Sequence, residues 1–131
     1  MASLFSRIIA GEIPCHKIAE SDEFFAFLDI NPVAAGHVLV VPKKETDYIF
    51  DIDDDALGRM MAFAKRIACA QKAAISCKRI GLTVIGLEVP HAHIHLVPVT
   101  QESDIYFGKD KLVPSQEELA ATAARIRNEY K

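Results

Sequence analysis

Residues 89–99 read VPHAHIHLVPV, a stretch that places His91, His93 and His95 at strict alternation. In a β-strand every second side chain points to the same face, at intervals of about 6.5–7 Å, whereas on a helix these three residues would spread around the circumference. The β-branched residues in and around the stretch also favour a strand. We therefore predict a strand that carries a row of imidazoles on the open face of a sheet. The spacers expected to face the core are Ala92, Ile94 and Leu96.

Outward from this strand, the remaining chain predicts four more strands and three helices. The strand-like runs are CHKIAE (15–20), EFFAFLDI (23–30), HVLVVPK (37–43) and RIGLTVIG (79–86). A short helix begins after Ser3 and ends near Gly11, and a capping box at Ser115 begins the last one. The acidic cluster at 51–55 suits the start of a long helix between the third and fourth runs. Its expected apolar stripe is Leu57, Met60, Met61, Ala64, Ile67 and Ala68.

This order of elements indicates an α+β protein with a mainly antiparallel five-stranded sheet, one long crossover helix, and short N- and C-terminal helices. We expect a single domain over residues 1–131, with a core at about 4–100 and a C-terminal helical extension at about 114–130. The length is sufficient for a self-supporting core, and half of the residues are hydrophobic while a quarter are charged.

The overall charge and the cysteines restrict the class of protein. A formal net charge of −3 gives no electrostatic reason to expect nucleic acid or an anionic membrane as a partner. The longest uncharged run, NPVAAGHVLVVP, is interrupted by Pro and Gly and is too short to cross a bilayer. Cys15, Cys69 and Cys77 form an odd set without C-x-x-C spacing, which is typical of a reducing compartment. We therefore expect a cytoplasmic protein.

The residues alone leave three interpretations of the alternating histidines. Two histidines at i and i+2 are a common ligand pair for zinc, with His95, His37 or Glu88 as a third ligand, although three same-face residues diverge by about 13–14 Å. The imidazoles could instead be structural, with each ring nitrogen satisfied by a partner. The third interpretation is covalent catalysis, in which one neutral imidazole attacks phosphorus or an acyl carbon while its neighbours donate to developing charge.

Residues 91–98, HAHIHLVP, resemble the H-φ-H-φ-H-φφ signature of the histidine triad (HIT) proteins, a family of nucleotide hydrolases and transferases. The segments LFSRIIAGEIP (4–14), FFAFLDINPVAAGHVLVVPKK (24–44) and ALGRMMAFAKRIACA (56–70) match the N-terminal half of that family in order and approximate spacing. The resemblance covers roughly residues 4–100 and is strongest to the nucleoside phosphoramidase and nucleotide hydrolase branch.

The resemblance implies a role for each matching position. His93 falls on the nucleophile that becomes adenylylated, while His95 and His91 fall on the phosphate-contacting and supporting positions. His37 matches a fourth histidine that orients the triad, and Asp29 matches a carboxylate that accepts both ribose hydroxyls, a charge-assisted pair of bonds. The apolar slot around the base corresponds to Phe5, Ile8, Phe27, Ile30 and Leu39.

The chain departs from the family pattern in three respects, of which the mildest is that Ala92 is smaller than the usual spacer. Leu87 and Glu88 stand where phosphoramidases carry Gln and Ser near the phosphate, and a carboxylate there either repels the substrate or, when protonated, acts as a general acid. Glu45 stands where many relatives have His. Ser3 and Ser6 lie near the position of the cysteine pair of zinc-binding relatives, so no structural zinc is expected.

By resemblance, the expected function is hydrolysis at the α-phosphorus of an adenylyl or other nucleoside 5′-phosphoryl substrate, a phosphoramidate or a dinucleoside polyphosphate, through a nucleotidyl-histidine intermediate. A purine nucleotide is the favoured partner, and neither a metal nor an organic cofactor is required. The resemblance also implies a homodimer that forms through the long helix and one strand. Two alternatives remain open: a nucleotide-binding module with little turnover, and a His-liganded metalloenzyme.

Overall fold

The computed structural model describes residues 2–131, which form three α-helices and five β-strands. In chain order these are α1 (Leu4–Ile9), β1 (Lys17–Glu20), β2 (Phe24–Leu28), β3 (Val38–Pro42), α2 (Asp54–Ala74), β4 (Arg79–Thr83), β5 (Ile94–Val99) and α3 (Gln116–Glu129). Two short 3-10 turns, Ile49–Asp51 and Glu102–Ile105, precede α2 and follow β5. The described residues contain no helix that combines the length and apolarity needed to cross a membrane.

The strands form one antiparallel sheet in the order β1-β2-β3-β5-β4. Strand β4 pairs only with β5 and is an edge of the sheet, so α2 carries the chain from β3 across β5 to that edge. The predicted α+β class, the antiparallel five-stranded sheet and the long crossover helix are confirmed.

The three helices begin at residues whose side chains cap them. The hydroxyl of Ser3 accepts from the amide of Ser6 at the start of α1, and Asp53 accepts from the amide of Ala56 at the start of α2. At Ser115 the predicted capping box with Glu118 is present. Each cap satisfies an amide that has no partner within its helix.

One face of the sheet packs against α2 and α3. On β2 and β3 the side chains alternate, so that Ala26 and Val40 enter this core while Phe27 and Leu39 point to the other face. The core residues of α2 include Met60, Phe63, Ala64, Ile67 and Ala70. The core residues of α3 are Leu119, Ala123 and Ile126.

The predicted stripe of α2 is wrong at Met61, which is 46% exposed. The buried positions of α2 follow i, i+3, i+4 and i+7 spacing from Met60, and Met61 lies one position outside that arc. Phe63, which the prediction omitted, is 1% exposed and occupies the middle of the buried face.

Gln71 is a buried polar residue in α2 that ties the helix to two strands. Its side-chain amide donates to the carbonyls of Gly36 and Leu96, both at 2.9 Å. These carbonyls lie immediately next to His37 and His95 in the chain, so this side chain helps to hold the backbone that carries both histidines.

The prediction of three imidazoles on an open strand face is wrong in two respects. Strand β5 begins only at Ile94, where pairing with Val40 starts, so His91 and His93 lie in the loop before it. All three imidazoles are buried rather than open, because α1 and neighbouring loops cover this face. The amide of Ala92 donates to the carbonyl of Thr46 at 2.7 Å, outside the sheet. The spacers Ala92, Ile94 and Leu96 lie in the core, as predicted.

Candidate functional site

A cavity of about 570 Å³ opens on the α1 face of the sheet. Its walls come from α1, from the ends of β2 and β3, from the rim loop (residues 85–89) and from the β5–α3 segment (residues 100–115). The predicted site residues that line it are Phe5, Ile8, Phe27, Asp29, Ile30, Leu39, Glu88, His93 and His95. His37 and His91 are buried beside it and do not line it. The structure thus brings the predicted residues into one place.

His93 presents a free ring nitrogen to this cavity. Its Nδ1 lies 2.8 Å from the carbonyl oxygen of His91, which can only accept, so Nδ1 carries the hydrogen. Burial lowers the pKa of His93, which keeps the imidazole neutral near pH 7. A neutral ring protonated at Nδ1 has its lone pair at Nε2. The ring of Phe5 packs edge-on against it at 5.0 Å, which fixes its orientation.

His37 and His95 form a second hydrogen-bonded pair whose proton positions follow from the backbone. The amide of Val33 donates to Nδ1 of His37 at 3.2 Å, so a neutral His37 carries its hydrogen on Nε2. That Nε2–H donates to Nδ1 of His95 at 3.0 Å, which leaves the hydrogen of His95 on its own Nε2. Burial lowers the pKa of His37 to about 3 and that of His95 to about 4, so both are neutral at pH 7. His95 is therefore an N–H donor in the wall of the cavity.

The same network decides whether Asp29, His37 and His95 can hold a metal ion. One ligand atom from each of the three lies within 4.8 Å of the others. Nε2 of His37, however, carries a hydrogen and has no lone pair for an ion, while its Nδ1 is occupied by the amide of Val33. This donor set does not fit a metal.

The imidazole of His91 takes part in a buried network behind His93. Its Nε2 donates to the carbonyl of Pro42 at 2.7 Å, and its Nδ1 lies 2.7 Å from the hydroxyl of Ser3. Glu45 accepts from the amide of Ser3 at 2.6 Å and from the hydroxyl of Ser6 at 2.7 Å. Hydrogen bonds from these two serines lower the pKa of Glu45 to about 2. This network joins α1 to the imidazole of His91, and the carbonyl of the same residue accepts from Nδ1 of His93.

Asp29 lies directly after β2 with one carboxylate oxygen engaged and one available. Oδ1 accepts from the amide of Asn31 at 2.9 Å, whereas Oδ2 is 3.8 Å from Nε2 of His37, beyond hydrogen-bond distance. Burial raises the pKa of Asp29. The side chain is 22% exposed, so Oδ2 can accept from a ligand in the cavity.

The rim loop contributes two of the side chains that depart from the family pattern. Glu88 is exposed at the cavity wall, and Leu87 is 89% exposed. Ile30, expected in the apolar slot, also lies at the rim with 55% exposure. The deeper apolar walls are formed by Phe5, Ile8, Phe27 and Leu39, which are all buried.

Two residues of the β5–α3 segment belong to the site and were not predicted from sequence. The Phe107 ring lies 4.6 Å from the His95 ring and 5.7 Å from that of His37, edge-on to both. Lys111 lines the cavity, and the amide of Leu112 donates to the carbonyl of Pro32 at 2.9 Å, which fixes the segment there. Neither residue belongs to a periodic pattern or a motif, so only the tertiary structure shows their position.

Together these groups give the cavity defined chemical capabilities. It holds an unprotonated imidazole nitrogen, an imidazole N–H donor, a carboxylate oxygen without a partner, and apolar walls. Such a set can bind a ligand with an apolar ring, a diol and an electrophilic centre, and can attack that centre.

Two solved structures are similar to the whole chain. A Hit-like protein involved in cell-cycle regulation from Bartonella henselae matches with a TM-score of 0.85 and 30% identity, over 97% of this chain and 95% of that one. A Zn-bound histidine triad family protein from Mycobacterium smegmatis matches with a TM-score of 0.83 and 26% identity, over 99% and 94%.

The zinc of the mycobacterial protein raises the question of whether the His91 network could hold one. Structural zinc is bound by thiolate, imidazole or carboxylate groups. Here the side chains around His91 include the hydroxyls of Ser3 and Ser6, and both ring nitrogens of His91 are already hydrogen-bonded. These residues do not fit a zinc ion, and their hydrogen bonds join the same elements directly.

The sequence comparisons agree with the likeness in structure. The chain is 39% identical over 102 residues to the adenosine 5′-monophosphoramidase HNT1 of Saccharomyces cerevisiae, a match that covers 77% of this chain and 65% of that protein, just under two thirds of its length. The model of the HIT domain matches residues 10–102, which include all four histidines of the cavity region. The fold, the triad and these matches together place the chain in the HIT family.

Proposed function

We propose that this protein is a nucleotide hydrolase that acts on the α-phosphorus of an adenylyl or other nucleoside 5′-phosphoryl substrate. The observation that carries the proposal is the free Nε2 of His93, because the carbonyl of His91 occupies Nδ1 and burial keeps the ring neutral. The similarity to a yeast adenosine 5′-monophosphoramidase supports the same class of substrate.

The proposed reaction has two displacements. Nε2 of His93 attacks the α-phosphorus, a phosphorus–nitrogen bond forms, and the bond to the leaving group breaks with its electron pair on that group, which takes a proton from solvent. Water then attacks the nucleotidyl-His93 intermediate and gives a proton to solvent, the bond to Nε2 breaks, and the neutral imidazole and a nucleoside monophosphate are released. The Nε2–H of His95 donates to a phosphate oxygen while charge develops. No step requires a metal.

The remaining walls of the cavity would bind the nucleoside. The free Oδ2 of Asp29 accepts from the ribose hydroxyls, and the apolar slot holds the base. A volume of about 570 Å³ is within the range of small-molecule sites and accommodates a mononucleotide. A purine is the favoured base because its larger face fills more of the apolar wall.

A homodimer and a cytoplasmic location are parts of the proposal. The edge strand β4 offers unpaired backbone groups, and Leu82 on β4 and Met61 on α2 are 44% and 46% exposed, which supports an interface that uses both elements. Sedimentation equilibrium would test it. Cys15, Cys69 and Cys77 are free thiols, which supports a reducing compartment.

The experiment for the proposed function combines rapid quench with mass spectrometry. Mixed with adenosine 5′-phosphoramidate or a dinucleoside polyphosphate, the wild type should carry a nucleotidyl mass on the peptide that contains His93. His93→Ala should lose turnover but keep AMP binding, since the base and ribose contacts come from other residues. His91→Ala and His95→Ala should lose less. The control is His16→Ala, because His16 lies outside the cavity and contacts Gln116.

Near-normal turnover by His93→Ala would refute the nucleophile assignment. The second candidate function, a nucleotide-binding module, is favoured by one observation: Glu88 places a carboxylate at the cavity wall, where it opposes an anionic substrate. A wild type that binds AMP but turns over neither substrate would establish that alternative.

A further inference from the structure

The charges in the cavity wall do not match an anionic ligand unless one lysine takes part. The carboxylates of Asp29 and Glu88 both line the cavity. The imidazoles of His93 and His95 do not supply positive charge at pH 7, because burial lowers the pKa of each. Among the residues that line the cavity, Lys111 is the one cation. A nucleotide phosphate in this cavity would otherwise face only negative and neutral groups.

The backbone places Lys111 over the site. The amide of Leu112 donates to the carbonyl of Pro32 at 2.9 Å, and the Phe107 ring packs on His95, so the β5–α3 segment is held at two points on either side of Lys111. Burial is the largest influence on the pKa values of Asp29, His37 and His95, and the positive charge of Lys111 acts on all three. Lys111 also lines the same cavity as Asp29 and His95, so its ammonium can reach a ligand that is held between them.

Lys111 also forms no ion pair with the described residues of the protein, so its ammonium is available to a ligand. Within residues 2–131, no carboxylate lies within the 4.0 Å of an ion pair from it. The nearby Lys109 differs, because its Nζ donates to the carbonyl of Ser103 at 2.9 Å and its side chain lines the adjacent surface groove with Leu82, and not the cavity itself.

We propose that Lys111 is a phosphate-binding residue whose ammonium contacts a phosphate oxygen of the nucleotide held in this cavity. The inference rests on the proposed nucleotide function and adds to it the source of positive charge. It also assigns a function to the β5–α3 segment. Phe107 of this segment packs against His95, and Lys111 supplies the positive charge.

Calorimetric titration of AMP and adenosine tests the assignment, because the two ligands differ only in the phosphate. Lys111→Met keeps the apolar stem and removes the charge, and it should weaken AMP binding by about tenfold while adenosine binding stays unchanged. Lys111→Arg should remain close to the wild type. Lys109→Met makes the same change of charge two residues away and should not alter AMP binding. Added salt should weaken AMP binding to the wild type more than to Lys111→Met.

Two results would overturn the inference while the proposed function stands. One is unchanged AMP binding in Lys111→Met, and the other is an equal loss for AMP and adenosine, which would indicate a structural role. A wild type that binds neither ligand would overturn the proposed function and this inference with it.

Discussion

Replacement of Asp29 should weaken the binding of ribonucleotides more than the binding of 2′-deoxyribonucleotides. Oδ1 already accepts from the amide of Asn31, and Oδ2 is free, so the carboxylate has lone pairs for both ribose hydroxyls. A hydrogen bond to a charged group contributes about 1.5–3 kcal/mol. We use about 1.5 kcal/mol per hydroxyl, the lower end of that range, because the side chain is partly exposed to water.

The expected losses follow from counting hydroxyls. Asp29→Ala removes two such bonds to AMP, about 3 kcal/mol or roughly a hundredfold in Kd, and one to 2′-deoxy-AMP, roughly tenfold. The preference of the wild type for AMP over its deoxy analogue, roughly tenfold, should therefore disappear in the variant. Calorimetric titration of both nucleotides against both proteins gives the four affinities that are needed.

A matched variant separates the ligand contact from the local turn. Asp29→Asn keeps a side-chain oxygen for the amide of Asn31 and loses the charge, so it should fold normally and still lose most of the preference. Equal losses for the two nucleotides in Asp29→Ala, or no loss, would remove Asp29 from the ribose site.

Three further predictions concern the rim loop, the core and acid stability. If Glu88 donates a proton to the leaving group, Glu88→Gln should lower turnover; a Glu88→Ser variant that is faster than the wild type would instead show that Glu88 hinders the reaction. Gln71→Leu should lower the free energy of unfolding by about 1–3 kcal/mol in urea titrations, because two buried carbonyls lose their donor; an unchanged midpoint would contradict this. The pKa of His37 is lowered to about 3, so the unfolded chain binds its proton first and stability should fall as pH drops below about 6.5, by up to about 1.4 kcal/mol per pH unit. His37→Asn should reduce that slope in urea titrations at successive pH values, and the remaining slope should come from His93 and His95, whose pKa values burial also lowers.

The order of strands and helices could be predicted because each element has a local sequence pattern of its own. Continuous apolar runs mark β2 and β3, and the residues that cap helices mark where α1 and α3 begin. The alternation of polar and apolar residues in the histidine stretch indicates which way the side chains point, but it does not indicate whether the backbone pairs with a neighbouring strand. This explains why residues 91–93 were assigned to a strand although the amide of Ala92 bonds to Thr46 outside the sheet.

The candidate site was predictable only where it coincides with a motif. The histidines and Asp29 lie in segments with a recognisable pattern, and the structure places His93, His95 and Asp29 in the cavity wall and His37 and His91 beside it. Phe107 and Lys111 lie in a stretch without periodicity, and their place depends on contacts with Pro32 and His95 that are distant in sequence. The burial that keeps the imidazoles neutral is likewise a property of the packed α1 face.

The walls of the cavity come from residues between Leu4 and Lys111, and the fold around it depends on contacts that are distant in sequence. Ser3 bonds to His91 across 88 positions, and Arg127 donates to the carbonyl of Lys17 across 110. Contacts so distant in sequence form late, because long loops must close first. A growing chain on the ribosome therefore cannot form this cavity until residue 111 has emerged. A nucleotide that binds there recognises only the finished fold, so saturating ligand should protect the whole molecule against unfolding as one cooperative unit.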